Sequence, residues 1–114
     1  MSGCIFCRII GGDIPSDTIY ENETVKVFKD INPVAPVHLI IVPKKHIDDI
    51  NKLDETNAHV IADCMLAVKK AAAITGISDS GYRVISNCGE DAGQSVQHLH
   101  FHLIGGIAMG ERIL

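Results

Sequence analysis

Apolar and polar residues alternate along the chain in rhythms that predict several short strands, one long helix and a short leading helix. Val37-His38-Leu39-Ile40-Ile41-Val42 is rich in β-branched residues and closed by Pro43, the signature of a buried strand. Upstream, Ile19–Tyr20 and Val25–Phe28 flank the polar Glu21-Asn22-Glu23 and predict two strands joined by a hairpin turn. Cys4–Ile10 predicts a short helix stopped at Gly11-Gly12, because paired glycines end helices readily. Asp30–Pro36 holds two of the four prolines and is expected to be an irregular loop. Further on the rhythm becomes helical: Ile61, Met65, Val68 and Ala72 recur on one face, with Asp54 as N-cap, an end near Thr75 and Gly76 as the stop. Tyr82–Ser86 and Leu99–Ile104 predict the last two strands. One long helix among short strands implies an α+β fold, a mostly antiparallel sheet with the helices packed on it.

Length and charge narrow the partners. A chain of 114 residues fits one domain over 1–114 with a modest core, and dimerisation is a natural way to bury more surface. The net charge of −4 and the absence of a basic run beyond Lys44-Lys45 and Lys69-Lys70 argue against duplex nucleic acid. A small anion remains open, since local backbone amides can hold one whatever the net charge. The opening MSGCIFCRIIGGD has no basic segment and is interrupted by Cys7 and Arg8, so it does not read as a signal peptide. No apolar run approaches the roughly 20 residues of a membrane span, and a cytoplasmic protein is expected. There, the four cysteines do not imply disulfides. Cys64, inside the helical pattern, reads as a small core residue.

The chemistry concentrates in Asn87-Cys88-Gly89-Glu90-Asp91-Ala92-Gly93-Gln94-Ser95-Val96-Gln97-His98-Leu99-His100-Phe101-His102. On a strand His98, His100 and His102 share one face, while Leu99, Phe101 and Leu103 point into the core. Three readings compete. The histidines could fill the solvent face of an amphipathic strand. They could bind one metal ion, although residues i and i+4 on a strand stand about 13 Å apart and Zn–N bonds are only about 2.1 Å, so at most two could share it. Or they could serve nucleophilic catalysis at phosphorus, where a neutral imidazole in the right tautomer attacks and nearby donors stabilise the charge. Gly89 and Gly93 allow close backbone approach to an anion, and Asn87 and Ser95 offer donors.

GQSVQHLHFHLIGG closely resembles the active-site strand of the histidine-triad superfamily in its Hint branch. CIFCRIIGGDIPSDTIYEN, FKDINPVAPVHLIIVPKKHI and NCGEDAGQS extend the resemblance over nearly the whole chain, in order. It implies a hydrolase that cleaves purine nucleoside phosphoramidates or related conjugates at the α-phosphate, through a nucleotidyl-histidine intermediate and without a metal in the chemistry. By position His100 is the implied nucleophile. His102, Asn87, Gly93 and Ser95 match phosphate-contacting positions, Ser95 also serving the leaving group, and His38 matches the additional histidine beside the catalytic pocket. Asp30 matches the acidic residue that binds the ribose hydroxyls, and Phe6, Ile9, Ile14, Phe28 and Ile31 match positions around the base. Each also has a plainer reading: His38 as a satisfied core histidine, Asp30 in an Asx turn, Ser95 and Asn87 as turn residues, Phe6 and Phe28 as core.

Cys4-x-x-Cys7 lacks the βαβ context of a thioredoxin-like pair. Several bacterial-type relatives carry a structural zinc on a Cys2His2 set, and Cys4, Cys7, His46 and His98 stand at all four positions. Four ligands close a tetrahedron, so such a metal is structural. The plainer reading makes the cysteines small helix residues. The resemblance also implies a homodimer with the long helix and a strand at the interface. Three other functions stay open, dinucleoside polyphosphate hydrolysis as in the Fhit-like branch, non-catalytic nucleotide sensing or scaffolding, and a zinc-dependent interaction module; against the first, Gln94-Ser95, Leu103-Ile104-Gly105-Gly106 and the short length favour the Hint branch. The chain ends Ile-Ala-Met-Gly-Glu-Arg-Ile-Leu, without the Trp-Pro-Pro-Gly tail of eukaryotic Hint proteins, so leaving-group preference does not carry over.

Overall fold

A computed structural model describes residues 3–114. The elements run α1 (Ile5–Ile10), β1 (Thr18–Glu21), β2 (Val25–Lys29), β3 (Val37–Pro43), α2 (His59–Thr75), β4 (Tyr82–Ile85) and β5 (Phe101–Gly105), with 3-10 turns at Ile50–Lys52 and Glu90–Ala92. The five strands form one antiparallel sheet in the order β1-β2-β3-β5-β4. This is the α+β arrangement that the apolar pattern implies. The β1–β2 turn closes on Asn22, whose Oδ1 accepts from the backbone of Thr24 and Val25 at 2.9 Å each.

Alternation along the strands divides the core in two. Val25, Val27, Leu39, Ile41, Phe101 and Leu103 face α2 and pack with its Val60, Cys64, Ala67, Val68, Ala71 and Ala72. On the opposite face Phe28, Ile40 and Val42 pack with Phe6 and Ile9 of α1. Cys64 is fully buried, and burial pushes its thiol up to about 12.

Three local expectations need correcting. α2 begins at His59, not next to Asp54. Asp54 Oδ1 instead accepts from the Thr56 backbone at 2.8 Å, and Asn57 Oδ1 accepts from Asp54 N at 2.8 Å. The two side chains close a separate turn whose exit leads into the helix. The buried stripe of α2 is also rotated from the expected one. Val68 and Ala72 belong to it, but Met65 is exposed and Ile61 only half-buried, because small Ala67 and Ala71 bring the sheet closer than Met65 would. Finally, β5 starts at Phe101, so His98 and His100 precede the strand. Their alternation persists nonetheless: Leu99 joins the α2 side of the core, and His98 and His100 contact Phe6 on the α1 side.

Candidate active site and metal cluster

The histidine face is not a solvent face. His98 is 0% and His100 5% exposed, sealed beneath α1 by the Phe6 ring. Imidazoles buried in this way need hydrogen-bond partners, and those partners decide between the tautomers.

His100 Nδ1 lies 2.7 Å from the His98 carbonyl oxygen. A carbonyl only accepts, so Nδ1 carries a proton, and in the neutral ring Nε2 is the nitrogen that keeps its lone pair. The His100 carbonyl in turn accepts from Ser86 Oγ at 2.9 Å, which fixes the residue from the β4 side. Ser86 was not legible as a site residue; its place immediately before Asn87 was the only signal.

His38 and His102 sit on neighbouring strands, His38 opposite Ile104 and His102 opposite Ile40, which makes them diagonal neighbours. The Val34 backbone N–H donates to His38 Nδ1 at 3.1 Å, so His38 carries its proton on Nε2. That nitrogen is 2.9 Å from His102 Nδ1 and 3.3 Å from Asp30 Oδ2. Donation to His102 Nδ1 leaves the His102 proton on Nε2. Burial first, then the neighbouring His100 and His38, hold His102 below its ordinary 6.5 against the opposing pull of Asp30, so it is neutral near pH 7. Asp30 also makes the Asx turn, since its Oδ1 accepts from Asn32 N at 2.8 Å. In the neutral tautomers the site thus sets the lone pair of His100 Nε2 beside the Nε2–H of His102, an arrangement that could serve as a nucleophile beside a donor.

Phe6, Ile9, Ile14, Phe28 and Ile31, with Asp30, line one cavity of about 480 Å³. The positions expected around a base and ribose are therefore brought together. Ile31, at 91% exposure, stands at the mouth and not in the wall. Asn87, Gly93 and Ser95 lie on the segment between β4 and β5, where Gly89 at φ 85° and ψ 177° adopts a conformation essentially restricted to glycine. Ser95 lines a second cavity, of about 430 Å³, with Cys4, Ile5, His46 and Asp48.

Cys4, Cys7, His46 and His98 form a cluster that could bind a metal such as zinc, their ligand atoms all lying within 4.8 Å of one another. Cys4 Sγ is 3.4 Å from His98 Nδ1, and Cys7 Sγ is 3.2 Å from His46 Nδ1. His98 Nε2 donates to the Pro43 carbonyl at 2.8 Å and His46 Nε2 to Asp48 Oδ1 at 2.8 Å. In their neutral forms both rings turn the lone pair of Nδ1 towards the sulfurs, with an acceptor behind, which is how metal-binding histidines are held. Burial, the largest influence, also keeps His98 below its ordinary value and hence unprotonated. Asp30, His38 and His102 converge as closely but fail this test. A metal on His38 Nε2 needs a proton on Nδ1, and Val34 N–H already donates there. That cluster is a hydrogen-bond relay.

Against known proteins, the family model for the HIT domain matches residues 11–109. The chain belongs to the HIT family. It is 40% identical over 105 residues to Protein HitA of Neisseria gonorrhoeae, covering 92% of this chain and 97% of HitA. A HIT family hydrolase from Clostridium thermocellum superposes with a TM-score of 0.98 at 49% identity, covering 100% of this chain and 99% of that one. A histidine triad nucleotide-binding protein from Candida albicans gives a TM-score of 0.82 at 32% identity, covering 98% and 86%. By homology the protein is a HIT family hydrolase. The matched HIT segment contains His38, His46, His98, His100 and His102 but begins after Cys4, Phe6, Cys7 and Ile9. Half of the Cys4/Cys7/His46/His98 cluster and part of the apolar cavity thus come from α1 and its N-cap, ahead of the matched segment. Among the described residues no helix is long and apolar enough to cross a membrane.

Proposed function

We propose that the protein hydrolyses purine nucleoside 5'-phosphoramidates at the α-phosphate, releasing AMP or its analogue, with His100 as nucleophile. The observation that carries this reading is the 2.7 Å contact from His100 Nδ1 to the His98 carbonyl, which makes Nε2 the lone-pair nitrogen of the neutral ring. His100 Nε2 attacks phosphorus, the P–N bond to the leaving amine breaks, and the amine takes a proton from the Ser95 hydroxyl. Water then bonds to phosphorus as the P–Nε2 bond breaks, its proton returning to Ser95, which gives the nucleotide and restores neutral His100. The His102 Nε2–H donates to a phosphate oxygen, held in that tautomer by His38, and Asn87, Gly93 and Ser95 supply the remaining phosphate contacts. The cavity of Phe6, Ile9, Ile14, Phe28 and Ile31 takes the base, and the Asp30 carboxylate accepts from the ribose hydroxyls.

The test offers adenosine phosphoramidate and diadenosine tetraphosphate side by side to wild type and His100→Ala. Release of AMP from the phosphoramidate, reduced roughly 10³-fold or more in the variant, is the expected result. Preference for the tetraphosphate moves the protein to dinucleoside polyphosphate hydrolysis. AMP binding with turnover of neither substrate makes it a nucleotide sensor.

The same reading assigns a structural zinc to Cys4, Cys7, His46 and His98. Cys7→Ser is expected to lose both zinc and stability; a loss of stability with zinc content unchanged overturns the assignment. It also assigns a homodimer through the outward face of α2, where Met65, Leu66 and Ile74 are exposed.

A further inference from the structure

The Gln94 side chain makes three hydrogen bonds that the reaction does not call for. Its Oε1 accepts from Gly89 N at 2.9 Å, and its Nε2 donates to the Asp48 carbonyl at 2.9 Å and to the Val96 carbonyl at 3.0 Å. An N–H on one side and two carbonyls on the other fix the amide orientation, and both Nε2 protons are used. Two of these bonds brace the loop that carries Gly93 and Ser95. The third crosses to Asp48, whose carboxylate holds His46 at 2.8 Å. One residue, Asp48, therefore grips a metal-cluster histidine with its side chain and the phosphate loop with its backbone. The segment is joined to the triad a second time by Leu99 N, which donates to the Ile47 carbonyl at 2.6 Å.

We propose that Gln94 is a positioning residue that transmits the order of the Cys4/Cys7/His46/His98 site to the phosphate loop, so that metal occupancy sets the placement of Gly93 and Ser95. This rests on the zinc assignment and on the hydrolase reading, and it adds a role for the metal beyond stability. A bound ion fixes His46, His46 fixes the Asp48 carboxylate, and the backbone of Asp48 is then a rigid acceptor for Gln94. Without the ion, the exposed His46–Asp48 pair is free to swing and the loop loses its outer anchor. The protein can hold AMP without zinc, but with the loop less ordered and the transition state less well met. Such coupling is reciprocal: if zinc tightens nucleotide binding by some factor, the nucleotide tightens zinc by the same factor.

The experiment uses the full chain, metal-free and zinc-loaded, as wild type, Gln94→Glu and Gln94→Met. Gln94→Glu keeps the acceptor for Gly89 but sets an oxygen against two carbonyls, whereas Gln94→Met keeps the length and removes all three bonds. Both should fold, since Gln94 is half-exposed and outside the two apolar clusters. Zinc affinity is read by competition with a chromogenic chelator, loop order by hydrogen exchange of the 86–97 peptide, and function by kcat and KM on adenosine phosphoramidate. In wild type, zinc should slow exchange of the loop, and AMP should raise zinc affinity about 5-fold or more. In both variants zinc should still bind without AMP and the AMP effect should vanish; in the zinc-loaded variants AMP should bind weaker by the same factor, with KM rising and kcat falling. Zinc bound equally by all three proteins with equal loop protection overturns the role of Gln94 and leaves the zinc assignment standing. A wild type that binds no zinc overturns the metal assignment and this proposal together. Protection that follows zinc in the absence of any turnover separates the coupling from the hydrolase reading, which alone then fails.

Discussion

Replacing Phe6 with alanine tests how the leading helix is held. Phe6 is 6% exposed and meets Phe28 at 5.7 Å, His98 at 6.0 Å and His100 at 5.0 Å between ring centroids, all edge-on. Truncating a buried phenylalanine to alanine costs about 3–5 kcal/mol, a figure that already contains its aromatic contacts. The helix α1 has six residues, too few to persist unsupported. Its apolar anchorage is Phe6 and Ile9, about 1.5–3 kcal/mol each by burial. Losing Phe6 therefore removes at least half of what docks the helix, and the cost should appear as local undocking. Native-state hydrogen exchange is the assay. The amides of Arg8 and Gly11, bonded to Cys4 and Cys7 carbonyls, should exchange about 100-fold faster or more, each 1.4 kcal/mol being a factor of about ten. Amides of β2, β3 and β5 should be affected much less, because their core under α2 is untouched. Zinc at about 1,000 times its dissociation constant adds about 4 kcal/mol, so it should restore the docked helix. Equal acceleration of sheet and helix amides, unaltered by zinc, would refute the reasoning.

Three other outcomes follow from the geometry. Gly105→Ala places its Cβ 2.6 Å from Ile77 Cδ1 and 3.4 Å from Ile77 Cβ and Cγ2; it should cost about 1–3 kcal/mol by urea unfolding, with part of that recovered by Ile77→Val and a purely additive double variant counting against the clash. In the metal-free protein, the folded pKa of His102 lies below its ordinary 6.5, so the unfolded chain takes up the proton first as pH falls. The stability of the neutral form is then complete above about pH 6.5 and lost as pH drops through the depressed value; a urea midpoint that rises on acidification between pH 7.5 and 5 contradicts this, and His102→Asn should shrink the slope. Leu66, 65% exposed on α2, should convert a dimer to a monomer as Leu66→Asp, read by light scattering; a monomeric wild type removes the dimer from the proposal.

The order of elements and the division of the sheet into two faces were legible because alternation and 3.6-residue spacing are local properties. So was the alternation around the triad, which puts Leu99, Phe101 and Leu103 together on the core side. The start of α2 was not, because Asp54 and Asn57 cap each other in a turn that a lone N-cap residue does not announce. The tautomers were beyond the sequence for a different reason. They depend on main-chain groups, the carbonyls of Pro43 and His98 and the N–H of Val34, whose positions only the folded backbone supplies. Likewise the diagonal of His38 and His102 follows from β3 pairing with β5, two strands 64 residues apart at those histidines. Gln94 was visible only as part of a motif; its reach to Asp48 closes a gap of 46 residues.

The separation of the two sheet faces can be read as simple arithmetic. In β2, β3 and β5 the odd-numbered positions Val25, Val27, Leu39, Ile41, Phe101 and Leu103 face the helix that gives the fold its core. The even-numbered positions Phe28, His38, Ile40 and His102 face the chemistry. Antiparallel pairing keeps the parity in step, since Val27 faces Ile41 and Leu39 faces Leu103. Even positions can therefore be varied to reshape the pocket with the main core unaltered, which makes them the natural set for a substrate-scope library. A single inserted residue within any of the three strands does the opposite, turning pocket-side residues such as His38 and His102 into the core and core side chains into the pocket. These strands therefore tolerate a change of side chain far better than a change of length.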